Sequence, residues 1–177
     1  MRFKDKLAKY VFKKAIASSR AFRQTIAISN AKTIGILYDA TSAEQESIVF
    51  NLSDRLRTQG KEVKVFGFYN KKKLPPDHVL RSSQEIITRA NLNWYGVPKR
   101  SSYAEMANES FDILLNLYTW HCVPLLVISA ASKAKFRIGK YFSDATNCFD
   151  FMVNIDGNTP LENFLTQIEV FSTKIQK

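Results

Sequence analysis

The segment Phe111–Gly139 limits the possible folds more than any other. Phe111-Asp-Ile-Leu-Leu-Asn-Leu117 leads through a polar joint into Pro124-Leu-Leu-Val-Ile-Ser-Ala-Ala131, and then into Ser132-Lys-Ala-Lys-Phe-Arg-Ile-Gly139. A run as apolar as Ile113–Leu117 suits a central parallel strand covered on both faces. Pro124 sits well in the first turn of a helix, where its missing N–H costs nothing. In the second strand Phe136 and Ile138 share one face while Lys135 and Arg137 share the other.

The rest of the chain supplies more units of this kind. Thr33–Asp39 reads as the first strand. Thr41 with Glu44, or Ser42 with Gln45, makes a capping box. The helix it opens runs to about Gln59, with Ile48, Val49, Leu52 and Leu56 on one side and Gly60 as its stop. Glu62–Tyr69 is the second strand, and the strand–helix–strand opening predicts a right-handed parallel crossover. Asn70–Arg100 is irregular: Lys71-Lys72-Lys73 precede Pro75-Pro76, which discourage helix. Gln84–Leu92 is read as a short strand, with a helical turn as the alternative. Ser102 and Glu105 form another capping box, opening a helix to about Ser110. Cys148–Ile155 is the last strand. Thr159, Pro160 and Glu162 start a final helix, Leu161–Ile175, with Leu161, Phe164, Leu165, Ile168, Phe171 and Ile175 at helical spacing.

Charge divides the chain. Residues 1–32 carry nine Lys or Arg and one acid, Asp5, a balance of +8; the other residues of this 177-residue chain sum to only +2. We therefore divide the chain into a basic amphipathic helical arm, 1–32, and a single α/β domain, 33–177. Phe3 to about Ile28 reads as one helix, with a break near Ser18-Ser19. Phe3, Leu7, Val11, Ala15, Phe22 and Ile26 form its apolar face, and Arg2, Lys6, Lys9, Lys13 and Arg20 lie roughly opposite. Such a helix packs on its own domain with a solvated lysine face, binds nucleic acid, or lies on an anionic membrane surface. No run approaches the ~20 apolar residues of a membrane span, and no apolar core of a signal peptide follows the basic start. Two cysteines without metal-type spacing fit a reduced, cytoplasmic setting.

A second basic stretch, Lys71–Arg100, holds seven bases against Asp77 and Glu85 and contains Trp94 and Tyr95. Cations interleaved with aromatics are what a single-stranded RNA platform uses, since bases stack on rings and phosphates meet lysines. The candidate nucleic-acid-binding set is Arg2, Lys6, Lys9, Lys13, Arg20, Lys71, Lys72, Lys73, Trp94, Lys133, Lys135 and Arg137. A weaker candidate site lies where open parallel sheets place theirs, beyond the strands' C-terminal ends: Asp39, Thr41, His121 and Asp156. The first strand–helix turn lacks G-x-G-x-x-G and the P-loop pattern, and Glu44 and Glu46 occupy the first helical turn, where they would repel phosphate. Neither a dinucleotide nor any other cofactor is expected, nor a metal.

The combination Leu92-Asn93-Trp94-Tyr95-Gly96-x-Pro98, Phe111-Asp-Ile-Leu-Leu-Asn-Leu117 and Ser132-Lys-Ala-Lys-Phe-Arg-Ile-Gly139 resembles an uncharacterised bacterial family of about this length. More loosely, Phe111–Leu117 followed by Ala134–Gly139 is similar to the N-terminal Rossmann-like half of heptosyltransferase-type glycosyltransferases. That resemblance implies a shared fold. Those enzymes bind the nucleotide sugar with a second domain, which a chain of this length is not expected to hold.

The expected architecture is a three-layer α/β domain, Rossmann-like or flavodoxin-like, with about five mostly parallel strands and a basic amphipathic N-terminal helix. The expected function is non-enzymatic RNA or ribosome binding through that helix and the lysine loop. The alternatives are a small or degenerate Rossmann-like enzyme, glycosyltransferase-like or nucleotide-binding, and a peripheral membrane-surface protein.

Overall fold

A computed structural model of the chain describes residues 3–19 and 22–175, with the side chains of residues 3–6, 8, 9 and 18 outside the description. Helix α1 (Phe3–Ser18) precedes strand β1 (Thr33–Asp39), helix α2 (Ala43–Thr58) and strand β2 (Glu62–Tyr69). Strand β3 (Gln84–Thr88), helix α3 (Ala104–Asn108), strand β4 (Ile113–Leu117) and helix α4 (Val123–Ala131) come next. Strands β5 (Phe136–Lys140) and β6 (Phe151–Val153) and helix α5 (Leu161–Lys174) complete the order. All six strands are parallel, in the order β3-β2-β1-β4-β5-β6. This is a Rossmann-like sheet, with its topological switch point between β1 and β4.

Strand alternation sends side chains into two cores. Ile34, Ile36 and Tyr38 of β1 and Ile113, Leu115 and Leu117 of β4 pack under α2 and α5. Leu37, Phe66, Phe68 and Leu114 face the other way, into α3 and α4. Helix α1 lies over that second core, where Val11, Phe12, Ala15 and Ile16 pack and its main helical neighbour is α4.

Several local expectations change. Helix α1 ends at Ser18 rather than near Ile28. Ser19 Oγ donates to the Ser132 carbonyl, and the Gln24 N–H to the Lys135 carbonyl, so bonds to the segment ahead of β5 follow the helix end. Phe22 is thereby exposed, and Ile26 reaches the opposite core. The Ser102 capping box does not form, because a 3-10 turn, Arg100–Ser102, leads into α3. Thr159 does not cap α5; Pro160 takes the flanking position. Cys148 ends a 3-10 turn, which shortens the last strand to Phe151–Val153.

Two residues of the central motifs have structural duties. Asn116 is fully buried in β4; its amide donates to the Ile138 carbonyl at 2.8 Å, and its carbonyl accepts from the Ser129 hydroxyl. It joins β4 to β5 and α4 with its polar atoms satisfied, as burial requires. Gly139 is packed against the Phe149 ring, which a Cβ would meet at 2.6 Å.

Ion pairs hold the sheet's N-terminal edge. Arg137 is buried: its backbone N–H donates to Asp150 Oδ2 at 2.8 Å, and its guanidinium bonds both oxygens of that carboxylate at 3.1 Å. Arg23 approaches Asp150 at 3.9 Å and donates to the Ala134 and Ser132 carbonyls. Burial, and then the neighbouring Arg137, lower the pKa of Arg23 against the opposing pull of Asp150. Asp112, ahead of β4, accepts from the Lys32 and Thr33 N–H groups at 2.8 and 3.2 Å and from Lys135 Nζ at 2.7 Å. Burial alone would raise its pKa, but the Lys135 ammonium and the two backbone donors together hold it below the ordinary carboxylate value.

A lowered folded-state pKa adds stability above the unfolded value, about 3.9, which is lost as pH falls through the folded value. Asp112→Ala is expected to cost about 2 kcal/mol at neutral pH. The gap from wild type should shrink as pH drops below about 4. Urea denaturation across a pH series measures it, and a gap independent of pH would contradict the assignment.

Candidate nucleic-acid interface

The C-terminal edge of the sheet gathers loops that lie far apart in sequence. Beyond β2, the Lys71 carbonyl accepts from the Arg89 N–H at 2.9 Å, and the Lys72 carbonyl from Thr88 Oγ1 at 3.2 Å. The Lys99 N–H donates to the Asn91 carbonyl at 2.9 Å. These bonds bring together Lys71, Lys72, Lys73, Arg89, Lys99 and Arg100, all exposed. Segments 70–74 and 89–102 contain no Asp or Glu.

The Leu92–Pro98 turn presents an aromatic beside these cations. Asn93 organises it: its backbone carbonyl accepts from the Gly96 N–H, and its side-chain Oδ1 from the Val97 N–H at 3.0 Å. Gly96 takes φ +85°, a conformation that disfavours a side chain, and Leu92 and Pro98 pair across the base. Val97 is buried, while Trp94 at the tip is 62% exposed and meets Tyr95 edge-on at 5.3 Å.

At the switch point the groups are more self-contained. Asp39 Oδ2 accepts from Trp120 Nε1 at 2.7 Å, and its Oδ1 from the Thr41 N–H at 2.9 Å. Thr41 Oγ1 accepts from the Asn70 N–H at 2.9 Å. The Trp120 indole thus bridges the ends of β4 and β1, leaving part of the ring exposed. Lys140 Nζ donates to the Thr119 carbonyl at 2.8 Å. His121 Nε2 lies 3.1 Å from both oxygens of Asp144, a partner with no signal in the neighbouring sequence. Asp156 is exposed in the turn after β6, where its backbone carbonyl accepts from the Thr159 N–H. Of the four edge residues considered, Asp39 and Thr41 are joined to each other and to the Trp120–His121 joint; no bond links Asp156 to them.

The basic residues read from sequence divide between opposite ends of the strands. Lys71, Lys72, Lys73 and Trp94 belong to the C-terminal edge. Lys133 is exposed ahead of β5, and Lys135, also ahead of β5, is paired with Asp112. Arg137 points into the protein against Asp150 and offers nothing to a phosphate. Lys13 is exposed on α1; Arg2 and Arg20, and the side chains of Lys6 and Lys9, lie outside the described residues. Arg89 joins the patch through its backbone bond to Lys71, and Lys99 and Arg100 follow through the bond of Lys99 to Asn91. Their charge was visible in the sequence, but their proximity to Lys71 was not.

A family model matches residues 4–171. The chain belongs to DUF6913, a family of unknown function. No curated protein and no solved structure matches it. Among the described residues of this DUF6913 protein, no helix is long and apolar enough to cross a membrane.

Cys122 does not supply a thiolate beside His121. It faces the core, and burial, with a smaller contribution from Asp39, pushes its thiol up to about 12 against the Leu125 N–H bond. Burial likewise raises Cys148 to about 12. Both thiols are expected to resist a water-soluble alkylating reagent in the folded protein and to react fully in denaturant. Thiol counting by mass spectrometry measures this, and rapid native labelling of Cys122 would contradict its placement.

Proposed function

We propose that this protein binds single-stranded RNA, with the ribosome as the partner to test first, through the C-terminal edge of its sheet. The observation carrying the reading is the bonding of the Lys71–Lys73 loop to Thr88 and Arg89, which gathers exposed cations on the edge that also carries the exposed Trp94 ring. Lysine and arginine meet phosphates without regard to sequence, and a base stacks on the indole face. Three neighbouring cations on one loop track a flexible backbone more readily than the fixed geometry of a small substrate. The basic N-terminal segment serves as a second contact: α1 is docked on α4 by its apolar side, and Lys13 and Lys14 are exposed.

If about five cations meet phosphates, log K should fall with log salt at a slope near −3.5 for single strands. Replacing Lys71, Lys72 and Lys73 with Ala should make that slope shallower by about two. Trp94→Ala should weaken binding by about 1–3 kcal/mol and leave the slope unchanged. Filter binding of a labelled oligonucleotide across a salt series measures all three. Binding that ignores salt, or a triple variant that binds like wild type, would overturn the reading.

A further inference from the structure

The crossover from β2 to β3 lacks the helix that such a connection usually carries. Residues 70–83 make it as an irregular strap, and Pro75-Pro76 exclude helix where one would pack beside α2. A right-handed crossover lays this strap on the α2 face. Between the strap and α2 lies a cavity of about 420 Å³. That falls within the usual small-ligand range of about 300–1,000 Å³.

The cavity's floor is polar, in a position that a packed helix would make apolar. Gln84, buried in β3, donates to Tyr38 OH and to Glu46 Oε1, both at 2.8 Å, and Tyr38 OH also donates to Glu46 Oε1 at 2.8 Å. These bonds fix the Glu46 carboxylate and leave its Oε2 without a partner among the described residues. Asp77 adds a second carboxylate from the strap. Arg81 supplies a guanidinium 4.2 Å above the Phe50 ring, and its nearest carboxylate is Asp54 at 3.7 Å. His78 also lines the cavity; its Nε2 is buried with no hydrogen-bond partner among the described residues, a costly arrangement that a polar occupant would relieve. Pro75 and Val79 give the strap an apolar side, and Val79 is 83% exposed although it belongs to a wall.

We propose that this cavity binds a small zwitterion, a free α-amino acid with an apolar side chain. The ammonium meets Glu46 and Asp77, the carboxylate meets Arg81 and His78, and the side chain covers Val79 and Pro75. Carboxylates and a guanidinium lining one cavity suit a ligand that carries both charges, and neither a simple cation nor a simple anion satisfies all four groups.

The test titrates ¹⁵N-labelled full-length protein with free leucine, valine, phenylalanine and methionine, and with their N-acetyl and methyl-ester derivatives. At least one free amino acid should give saturable shifts at the amides of residues 43–50 and 77–84. Removing either charge from the ligand should weaken binding about tenfold or more, as loss of a charged hydrogen bond does. Arg81→Gln, at an exposed residue, should weaken the free amino acid about as much as esterification does. Asp77→Asn should mirror N-acetylation. No saturable shift with any of the four, equal binding of the blocked derivatives, or shifts confined to other residues would each overturn the proposal.

Discussion

Everything in this protein is arranged around a strand that has no solvent face. All five residues of β4 are buried, flanked by β1 on one side and β5 on the other. A strand so placed must be covered above and below, which is why helices occupy both layers. It also places the switch point between β1 and β4, where the chain leaves in opposite directions and the ends of the strands are least crowded. Asn116 is the polar group admitted into this strand, and its bonds to Ile138 and Ser129 tie β4 to β5 and α4.

The two edges of the sheet carry different chemistry. The N-terminal edge is closed by ion pairs: Asp112 with Lys135, and Asp150 with Arg137 and Arg23. These three cations serve the fold, and Arg23 fastens the segment that leads from α1 to β1. At the C-terminal edge Lys71, Lys72, Lys73, Arg89, Lys99 and Arg100 stand on loops and are exposed. That contrast is the physical reason for assigning binding to one edge and stability to the other. The strap between β2 and β3 belongs to the same logic: by omitting a helix it exposes both a lysine run and a polar cavity.

Local signals carried much of the fold. Apolar density at Ile113–Leu117, the Ser42 cap and Gly60 stop of α2, and the spacing along α5 each depend on near neighbours, and each is legible in sequence. Failures occurred where a distant partner decides. The end of α1 is set by the Ser132 and Lys135 carbonyls, more than a hundred residues away. The alternation in β5 separated Arg137 from the apolar face correctly, but its opposite face turned out to be interior, because Asp150 returns to neutralise it. At the candidate interface the charges and the tryptophan were readable. The hydrogen bonds that place Arg89 against Lys71, and Asp144 against His121, were not.

Ultraviolet cross-linking of the full-length protein to a uridine-rich RNA, with the adducted peptides identified by mass spectrometry, tests the central claim most directly. The account predicts adducts in the peptides that contain Lys71–Lys73 and Trp94–Arg100. Absence of adducts, or adducts confined to the peptides around Lys133–Arg137, would contradict it.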